Sequence, residues 1–499
     1  MQMNTTQFST TLSPSLPPHL PASARSNVGL YSIGVCVLLL SACGGSGGGS
    51  AGIPAPTPVI ASISPAATSS GCGAQTLTVT GSSFGSSSSV QWNGSALATT
   101  YVSTTQLTAQ LPASDLTAAG TQNVTVSAPG AAQSNAASFT IASADATSYR
   151  MNPAHTDALS MNCTIGLPVK LWNAPIPGYP TTVLIGNGMV YTTYQTGNYA
   201  NLIALNQSNG SVAWGPVVLS SQAYIAYDNG QIFAVTANNA GIENGTMIAY
   251  DATTGKQNWS SPLTGQSEFD SGVTALNGLV YSAGSGSNAT VYALNEKTGV
   301  LAWTASVEGG DDSIPTVTAS GLYLRYPCQA YDLSPTTGQE IWYDNSGCVG
   351  GGGATPFVAN DILYAPALPG DPGGVDNLTF NATTGAKIGS YSSSGFGSID
   401  SNNSYFILNG TLNAVSLSTG KMLWSFTQFD GIGSPVTVNQ YTYVPGNNGT
   451  LYVLDNATGN TVASFANAVI GNNLSAGDGL LITGANNASL TAYSLTSGN

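Results

Sequence analysis

The stretch Val291-Tyr-Ala-Leu-Asn-Glu-Lys-Thr-Gly299, followed by Trp303, contains the pattern that decides the fold. Its apolar four-residue run indicates a short strand, and its glycine suits a hairpin turn that needs a positive φ. The tryptophan then lies on the strand that follows the turn. The stretch therefore predicts a β-hairpin, and the rest of the chain repeats it.

The same phrase occurs eight times after residue 200, and its turn glycines are 45, 44, 39, 47, 35, 39 and 39 residues apart. They are Gly210, Gly255, Gly299, Gly338, Gly385, Gly420, Gly459 and Gly498. A period near 40 residues is typical of a four-stranded propeller blade. We therefore predict an eight-bladed β-propeller, with seven blades as the alternative if the atypical copy at Gly385 is not a full blade.

The eighth copy stops at Asn499, one strand short of a blade. The segment Gly166-Leu-Pro-Val-Lys-Leu-Trp172 has the form of the missing turn and tryptophan strand. We expect residues 166–175 to complete the eighth blade, because this pairing closes the ring and removes an open sheet edge. The propeller is thus predicted to span residues 166–499.

The repeated phrase resembles the PQQ-like repeat, and the resemblance covers residues 166–499. It implies the propeller fold of the BamB-like lipoproteins, which take part in outer-membrane barrel assembly. Quinoprotein dehydrogenases share this repeat, and that resemblance implies PQQ held between a tryptophan and two adjacent cysteines, with calcium and a catalytic aspartate. No two cysteines are adjacent here, so we expect no cofactor and no active dehydrogenase.

All tryptophans except Trp92 lie on the outermost strand of a predicted blade. An aromatic row of this kind suits either a ligand platform or packing between blades. Because it recurs regularly, once per blade, packing is the preferred interpretation. Lys170, Lys256, Lys387 and Lys421 lie on or just before the same strands, where lysine opposes edge-to-edge pairing.

Residues 57–141 contain short alternating segments such as Leu77-Thr-Val-Thr80, bounded by Gly and Ser clusters, which predict a β-sandwich. Through Ile63-Ser-Pro65 and Val90-Gln-Trp-Asn-Gly94, this segment resembles the IPT/TIG family of immunoglobulin-like domains. The resemblance implies a spacer or a binding module, and we expect a spacer. Residues 142–165 are predicted to be a linker. The fold class is therefore all-β, an immunoglobulin-like sandwich followed by a propeller.

The N-terminus has the features of a bacterial export signal. A short apolar run after Arg25 ends in Leu40-Ser-Ala-Cys43, which resembles the lipobox of bacterial lipoproteins. The resemblance implies a signal peptide over residues 1–42 and lipidation of Cys43, and an ordinary signal peptide is the alternative. Residues 43–56 are predicted to be a flexible tether. Gly44 follows the cysteine, which by resemblance to enterobacterial sorting implies the outer membrane.

Four cysteines remain after the expected signal peptide and anchor, and an even number in an oxidising compartment suggests disulfides. Cys328 and Cys348 flank one predicted strand pair, so we predict a local disulfide between them. Cys72 and Cys163 either join the small domain to the large one or remain free buried thiols. No Cys-x-x-C spacing occurs, so no metal site is predicted.

The chain has 22 acidic and 8 basic residues, a formal net charge of −14, which argues against nucleic acid as a partner. Because strands alternate in direction, the connections between blades lie opposite the glycine turns and lead toward the channel. Six acidic residues on these connections form a candidate binding rim: Glu268, Asp270, Glu308, Asp311, Asp312 and Asp430. The alternative is a solvated rim that keeps the protein soluble.

These features predict a non-enzymatic, lipid-anchored envelope protein whose propeller binds a protein or another extracytoplasmic ligand. The alternatives are a BamB-like factor in outer-membrane protein assembly, and a divergent quinoprotein or carbohydrate-active enzyme. The only histidines are His19, in the signal, and His155, in the linker. Neither provides an evident base for a Ser or Cys triad, so no catalytic residue is predicted.

Overall fold

The computed structural model describes residues 55–219, 224–237, 244–266, 269, 272–284, 289–308, 313–347, 352–368, 377–393, 397–428, 433–446, 449–468, 474–485 and 488–496. Within them the chain is all-β, as predicted, and the first domain contains the short 3-10 helix Ala113–Leu116. No helix in this described part is long and apolar enough to cross a membrane.

The first domain is a sandwich of two sheets. Its strands are β1 (Val59–Ser64), β2 (Ala67–Ser69), β3 (Gln75–Ser82), β4 (Ser89–Trp92), β5 (Ser95–Ala96), β6 (Thr99–Ser103), β7 (Gln106–Leu111), β8 (Gly120–Ser127) and β9 (Ala137–Ala142). The strand orders are β1-β3-β7-β6 and β2-β9-β8-β4-β5. Alternation with period two directs Leu77 and Val79 into the buried core, where Trp92 contacts Phe139 edge to face.

The strands of the second domain follow. They are β10 (Ala158–Leu159), β11 (Val169–Pro175), β12 (Tyr179–Gly186), β13 (Met189–Thr196), β14 (Tyr199–Asn206), β15 (Val212–Val218), β16 (Ile225–Asp228), β17 (Gln231–Ala237), β18 (Asn244–Asp251), β19 (Gln257–Thr264), β20 (Val273–Leu276), β21 (Leu279–Gly284), β22 (Ala289–Asn295), β23 (Leu301–Val307), β24 (Thr316–Val317), β25 (Leu322–Tyr326), β26 (Gln329–Leu333), β27 (Glu340–Asn345), β28 (Phe357–Ala359), β29 (Ile362–Ala365), β30 (Asn377–Asn381), β31 (Lys387–Tyr391), β32 (Ser398–Ile399), β33 (Asn403–Leu408), β34 (Thr411–Ser416), β35 (Met422–Phe426), β36 (Val436–Val438), β37 (Tyr441–Gly446), β38 (Thr450–Asp455), β39 (Thr461–Phe465), β40 (Leu474–Gly477), β41 (Leu480–Ala485) and β42 (Ser489–Ser494).

Within the described residues these strands form eight sheets, each with four antiparallel strands, and the seventh sheet has β10 as a fifth, parallel strand. The first seven use consecutive strands, from β12–β15 to β36–β39, and the eighth combines β40, β41 and β42 with β11. Strand β11 pairs with β42 from Val169↔Ser494 to Pro175↔Ser489, which is the pairing expected for residues 166–175. The inner strand of each sheet is its first in sequence, and β40 contacts β12, so the eighth sheet lies next to the first.

The repeated tryptophan links each sheet to the next one. In the first sheet, the indole Nε1 of Trp214 donates a hydrogen bond of 2.9 Å to the carbonyl of Ala252 in the second sheet. Five further indoles make the same bond at 2.7–3.0 Å: Trp172, Trp259, Trp303, Trp342 and Trp424. Where the tryptophan is missing, ring contacts between Tyr391 and Phe406 and between Phe465 and Tyr493 replace it. The packing interpretation of the aromatic row is confirmed.

Two physical reasons require glycine at the turn, and Gly255 shows both. Its φ of 68° is left-handed, and a Cβ at this position would lie 2.5 Å from the Trp214 ring. The Asp251 carboxylate closes the same turn by accepting hydrogen bonds from the amide and hydroxyl of Thr254, at 2.8 and 2.7 Å. The Asp-x-x-Thr-Gly part of the phrase is thus one structural unit that both turns the chain and receives the neighbouring indole.

Candidate functional site

Residues 144–159, which we name the axial segment, run across one end of the channel between the inner strands. Their backbone carbonyls accept hydrogen bonds from inner strands of seven of the eight sheets. The donors are the amides of Ile185, Tyr227, Val317, Val358, Ile399, Thr437 and Asp478, at 2.7–3.0 Å. In addition, β10 pairs in parallel with the inner strand β36. Residues 144–159 of the predicted linker are therefore hydrogen-bonded to the inner strands.

The donors of these bonds lie at or next to the ends of the inner strands. In antiparallel sheets this end carries the turns between first and second strands and also those between third and fourth strands, so we call it the turn face. The opposite side, where one sheet leads to the next, is the connection face. The axial segment thus closes the channel at the turn face.

A buried ion pair holds the axial segment together. The Arg150 Nε lies 2.6 Å from Asp157 Oδ2, and both side chains are at most 4% exposed. The Arg150 guanidinium also donates to the carbonyl of Gly397 and lies 4.7 Å from the centroid of the Phe357 ring. Arg150 therefore connects Asp157, within the axial segment, to the fifth sheet through Phe357 and to the start of the sixth sheet through Gly397.

His155 is fully buried in the same segment. Its Nδ1 lies 2.9 Å from the hydroxyl of Thr316, which donates its own proton to the carbonyl of Pro356. The histidine Nδ1 is therefore the donor in this pair, which fixes the neutral tautomer. Burial, together with the Arg150 charge, lowers the pKa of His155 to about 3. A neutral histidine at this position is a structural member of the channel closure.

A cavity of about 110 Å³ lies in the channel, on the connection-face side of the axial segment. The axial residues Ser148 and Tyr149 contribute its floor. Thr182 of β12 and Ser475 of β40 line its walls, together with Tyr224. Thr182, Tyr224 and Ser475 each come three residues before a residue whose amide donates to the axial segment, so they occupy one level of the channel.

Of the six acidic residues of the predicted binding rim, only Glu308 lies among the described residues. Glu308 is exposed, its amide donates to the Tyr331 hydroxyl, and its carboxylate accepts a hydrogen bond of 3.3 Å from Tyr343. Both tyrosines belong to the two outer strands of the fourth sheet, so Glu308 lies toward the periphery. Glu268, Asp270, Asp311, Asp312 and Asp430 lie outside the described residues.

The cysteine predictions have different outcomes. Cys72 and Cys163 form a disulfide that joins the sandwich to the propeller, with Cα atoms 6.1 Å apart. Of the two alternatives for this pair, the interdomain bridge is the one observed. Cys328 is buried and disulfide-bonded, whereas Cys348 lies outside the described residues, so the Cys328–Cys348 pairing stays a prediction. The predicted lipidation site, Cys43, lies outside them as well.

The sandwich docks on the turn of the eighth sheet beside this disulfide. Gly71 approaches Asp478 so closely that a Cβ on the glycine would lie 2.0 Å from the aspartate carbonyl carbon. The Ser70 hydroxyl donates a 2.5 Å hydrogen bond to the Asp478 carboxyl and accepts one of 2.9 Å from the amide of Ala144. The two domains and the axial segment therefore meet at Asp478.

Asp478 gives this junction a pH dependence. Burial, and secondly the charge of Asp145, raises the pKa of Asp478 to about 8 from an ordinary 3.8. Folding therefore favours the protonated carboxyl, so its stabilising contribution is complete below about pH 4 and is lost as the pH rises through about 8. We expect Asp478→Asn to flatten the fall of the thermal unfolding midpoint between these pH values. Asparagine tolerates the φ of 46° at this position.

The matched control for this prediction is Asp361→Asn, an exposed aspartate whose φ of 61° is also left-handed. It is expected to leave the pH profile of the unfolding midpoint unchanged. An equal flattening in both variants would contradict the assignment to Asp478.

No group of three His, Cys, Asp or Glu side chains within the described part of the chain is placed to hold a metal ion.

The fold and the closed channel define the class of protein: a β-propeller with an immunoglobulin-like domain docked on its turn face. A family model described as "Outer membrane protein assembly factor BamB" matches residues 170–266, 217–366 and 329–499. The chain belongs to this family. The IPT/TIG domain model matches residues 58–141, which confirms the other predicted resemblance.

Two curated relatives are similar to parts of the chain. Tetrathionate hydrolase of Acidithiobacillus ferrooxidans is 27% identical over 191 residues, which are 34% of this chain and 36% of that protein. The outer membrane protein assembly factor BamB of Moranella endobia is 27% identical over 258 residues, 46% of this chain and 56% of that protein. The chain thus spans between about a third and about a half of the length of these relatives.

Among solved structures, the computationally designed Ika8 protein superposes with a TM-score of 0.51 at 14% identity. The match covers 65% of this chain and 99% of that one. At this identity the likeness shows the fold alone.

Proposed function

We propose that this protein is a non-enzymatic envelope lipoprotein that binds a protein partner through the connection face of its propeller. Cys43 carries the lipid anchor, the IPT/TIG domain is a spacer, and the outer membrane is the site of attachment. The role is that of a recognition scaffold, similar to the assembly factor after which its family is described. This assignment of a role rests on family membership together with the shape of the channel.

The closure of the turn face is the observation that carries the proposal. Seven sheets bond to the axial segment there, and the sandwich covers the turn at Asp478 on the same side. We therefore place the partner at the opposite side of the propeller, the connection face. The acidic residues predicted on the connections would favour a basic surface on that partner.

The relationship to tetrathionate hydrolase supplies the competing hypothesis of an enzyme. The matched region is about a third of that protein, so its activity does not transfer to this chain by similarity alone. Incubating the purified full-length protein with tetrathionate distinguishes the two hypotheses. Consumption of tetrathionate at a rate proportional to the protein concentration would overturn the non-enzymatic assignment.

Partner capture is the direct test of the proposal. We expect crosslinking of the membrane-anchored protein in its own host to capture one defined protein. Neutralising five acids together should abolish this capture, because each contributes to the attraction of a basic surface. The substitutions are Glu268→Gln, Asp270→Asn, Asp311→Asn, Asp312→Asn and Asp430→Asn. Crosslinked products are to be identified by mass spectrometry.

The control is Glu308→Gln, because Glu308 bonds to outer-strand tyrosines away from the channel. It should retain the partner. Capture that survives the fivefold change, or that Glu308→Gln removes as well, would contradict the assignment of the channel mouth. A wild-type protein that captures nothing would contradict the scaffold proposal itself.

A further inference from the structure

The channel cavity has unsatisfied polar groups in its wall. The hydroxyls of Ser148, Thr182 and Ser475 have no hydrogen-bond partner among the described residues. Their residues are 1%, 5% and 4% exposed, and all three line the cavity. Buried hydroxyls in native proteins are nearly always paired, because an unpaired one loses its hydration without compensation. The three groups therefore point to a guest that supplies hydrogen bonds.

The charges around the cavity favour an uncharged guest. The Arg150 guanidinium and the Asp157 carboxylate neutralise each other at 2.6 Å. The pKa of the Tyr149 phenol is raised by burial, so this group stays neutral. An ion entering the cavity would lose its hydration without gaining a counter-charge, which is strongly unfavourable. A neutral molecule avoids this loss.

The cavity wall combines hydroxyl groups with aromatic rings. Each hydroxyl can both donate and accept, so the three match hydroxyl groups on a guest. The rings of Tyr149 and Tyr224 both line this cavity and contact each other edge to face, with centroids 5.4 Å apart. They supply an apolar surface. Polar edges with an apolar face are the features of a sugar ring.

We propose that the cavity binds a small neutral polyhydroxylated molecule of monosaccharide size. A volume of about 110 Å³ holds roughly seven to eleven water-sized groups, because each needs about 10–15 Å³. This binding site is independent of the proposed protein partner, since it lies inside the channel and uses none of the rim acids.

Titration calorimetry of the full-length protein tests the site with named probes. We expect at least one of glucose, galactose, mannose and N-acetylglucosamine to bind, and glucuronate and glucosamine to bind at least about tenfold more weakly. Ser148→Ala, Thr182→Val and Ser475→Ala should each weaken the binding of that sugar by roughly tenfold. Their unfolding midpoints without sugar should be unchanged or higher, because each removes an unpaired buried hydroxyl.

Thr483→Val is the matched control. Thr483 is buried and its hydroxyl also has no partner within the described residues, but it does not line the cavity. This variant should keep the wild-type affinity for the sugar. The proposal is overturned if none of the four neutral sugars binds at millimolar concentration and a crystal structure shows ordered water only. Sugar binding that is insensitive to the three cavity substitutions overturns it equally.

Discussion

Replacing Asp157 by asparagine is expected to lower the free energy of unfolding by about 3–5 kcal/mol, the loss typical of a buried ion pair that keeps one charge. The substitution leaves the Arg150 guanidinium buried without its carboxylate partner. Asparagine fits the left-handed φ of 49° at position 157, so the variant changes charge and preserves the backbone. Urea denaturation followed by circular dichroism measures the loss.

A double-mutant cycle separates the ion pair from the other contacts of the two residues. Arg150→Gln also breaks the pair and should be strongly destabilising, since it removes the contact with the Phe357 ring as well. The double variant carries neither charge, so we expect it to lose less than the sum of the two single losses. Glu340→Gln, an exposed residue on the outermost strand β27, is the control.

Burial raises the pKa of Asp157 while the charge of Arg150 opposes that rise. The cycle therefore also reports which protonation state is present in the folded protein. A loss below about 1 kcal/mol for Asp157→Asn would contradict the ion pair, because a protonated carboxyl is replaced by asparagine at little cost.

The propeller repeat could be predicted because each copy is determined locally. The turn of Asp251 and Thr254 closes through its own side chains, and its glycine receives an indole from the preceding sheet. Strand, turn and aromatic residue therefore recur at one spacing in the sequence. The predicted number of blades is a count of such copies in the sequence.

The axial segment could not be predicted in the same way. It is held by its backbone carbonyls, which every residue type possesses, and its partners are spread over the whole propeller sequence. One signal was available: Arg150, His155 and Asp157 stand close together in a chain with only 8 basic residues and two histidines. A cluster of ionisable groups in a short linker indicates a buried polar contact rather than a solvated connection.

The rim prediction shows a second limit of sequence reasoning. Strand alternation predicts that Glu308 lies on a connection between blades, and the residue directly follows the outer strand β23. The alternation contains no information about distance from the channel axis. Tyr331 and Tyr343 hold Glu308 against the outer strands of the next sheet. The face of a propeller residue can thus be derived from strand order, whereas its radial position requires the side-chain contacts.

Removing the Cys72–Cys163 disulfide is expected to cost about 4–5 kcal/mol of unfolding free energy, because the bond closes a long loop in the unfolded chain. The two cysteines are 91 residues apart. A Cys72→Ser, Cys163→Ser double variant tests this by urea denaturation. Serine substitution is preferable to a chemical reductant, because Cys328 is disulfide-bonded as well and would also be reduced.

The comparison variant is Cys328→Ser, Cys348→Ser. If these residues form the predicted disulfide, their separation of 20 residues gives a smaller loss, about 3 kcal/mol. Amide hydrogen exchange of the Cys72→Ser, Cys163→Ser variant then shows which part of the protein is destabilised. Faster exchange at the Gly71 and Asp478 amides, which bond to Leu116 and Ala144, would show that the sandwich leaves the turn face. A Cys72→Ser, Cys163→Ser variant with unchanged stability and unchanged exchange would mean that noncovalent contacts, such as the hydrogen bonds of Ser70 and Ser69, hold the two domains together without the disulfide.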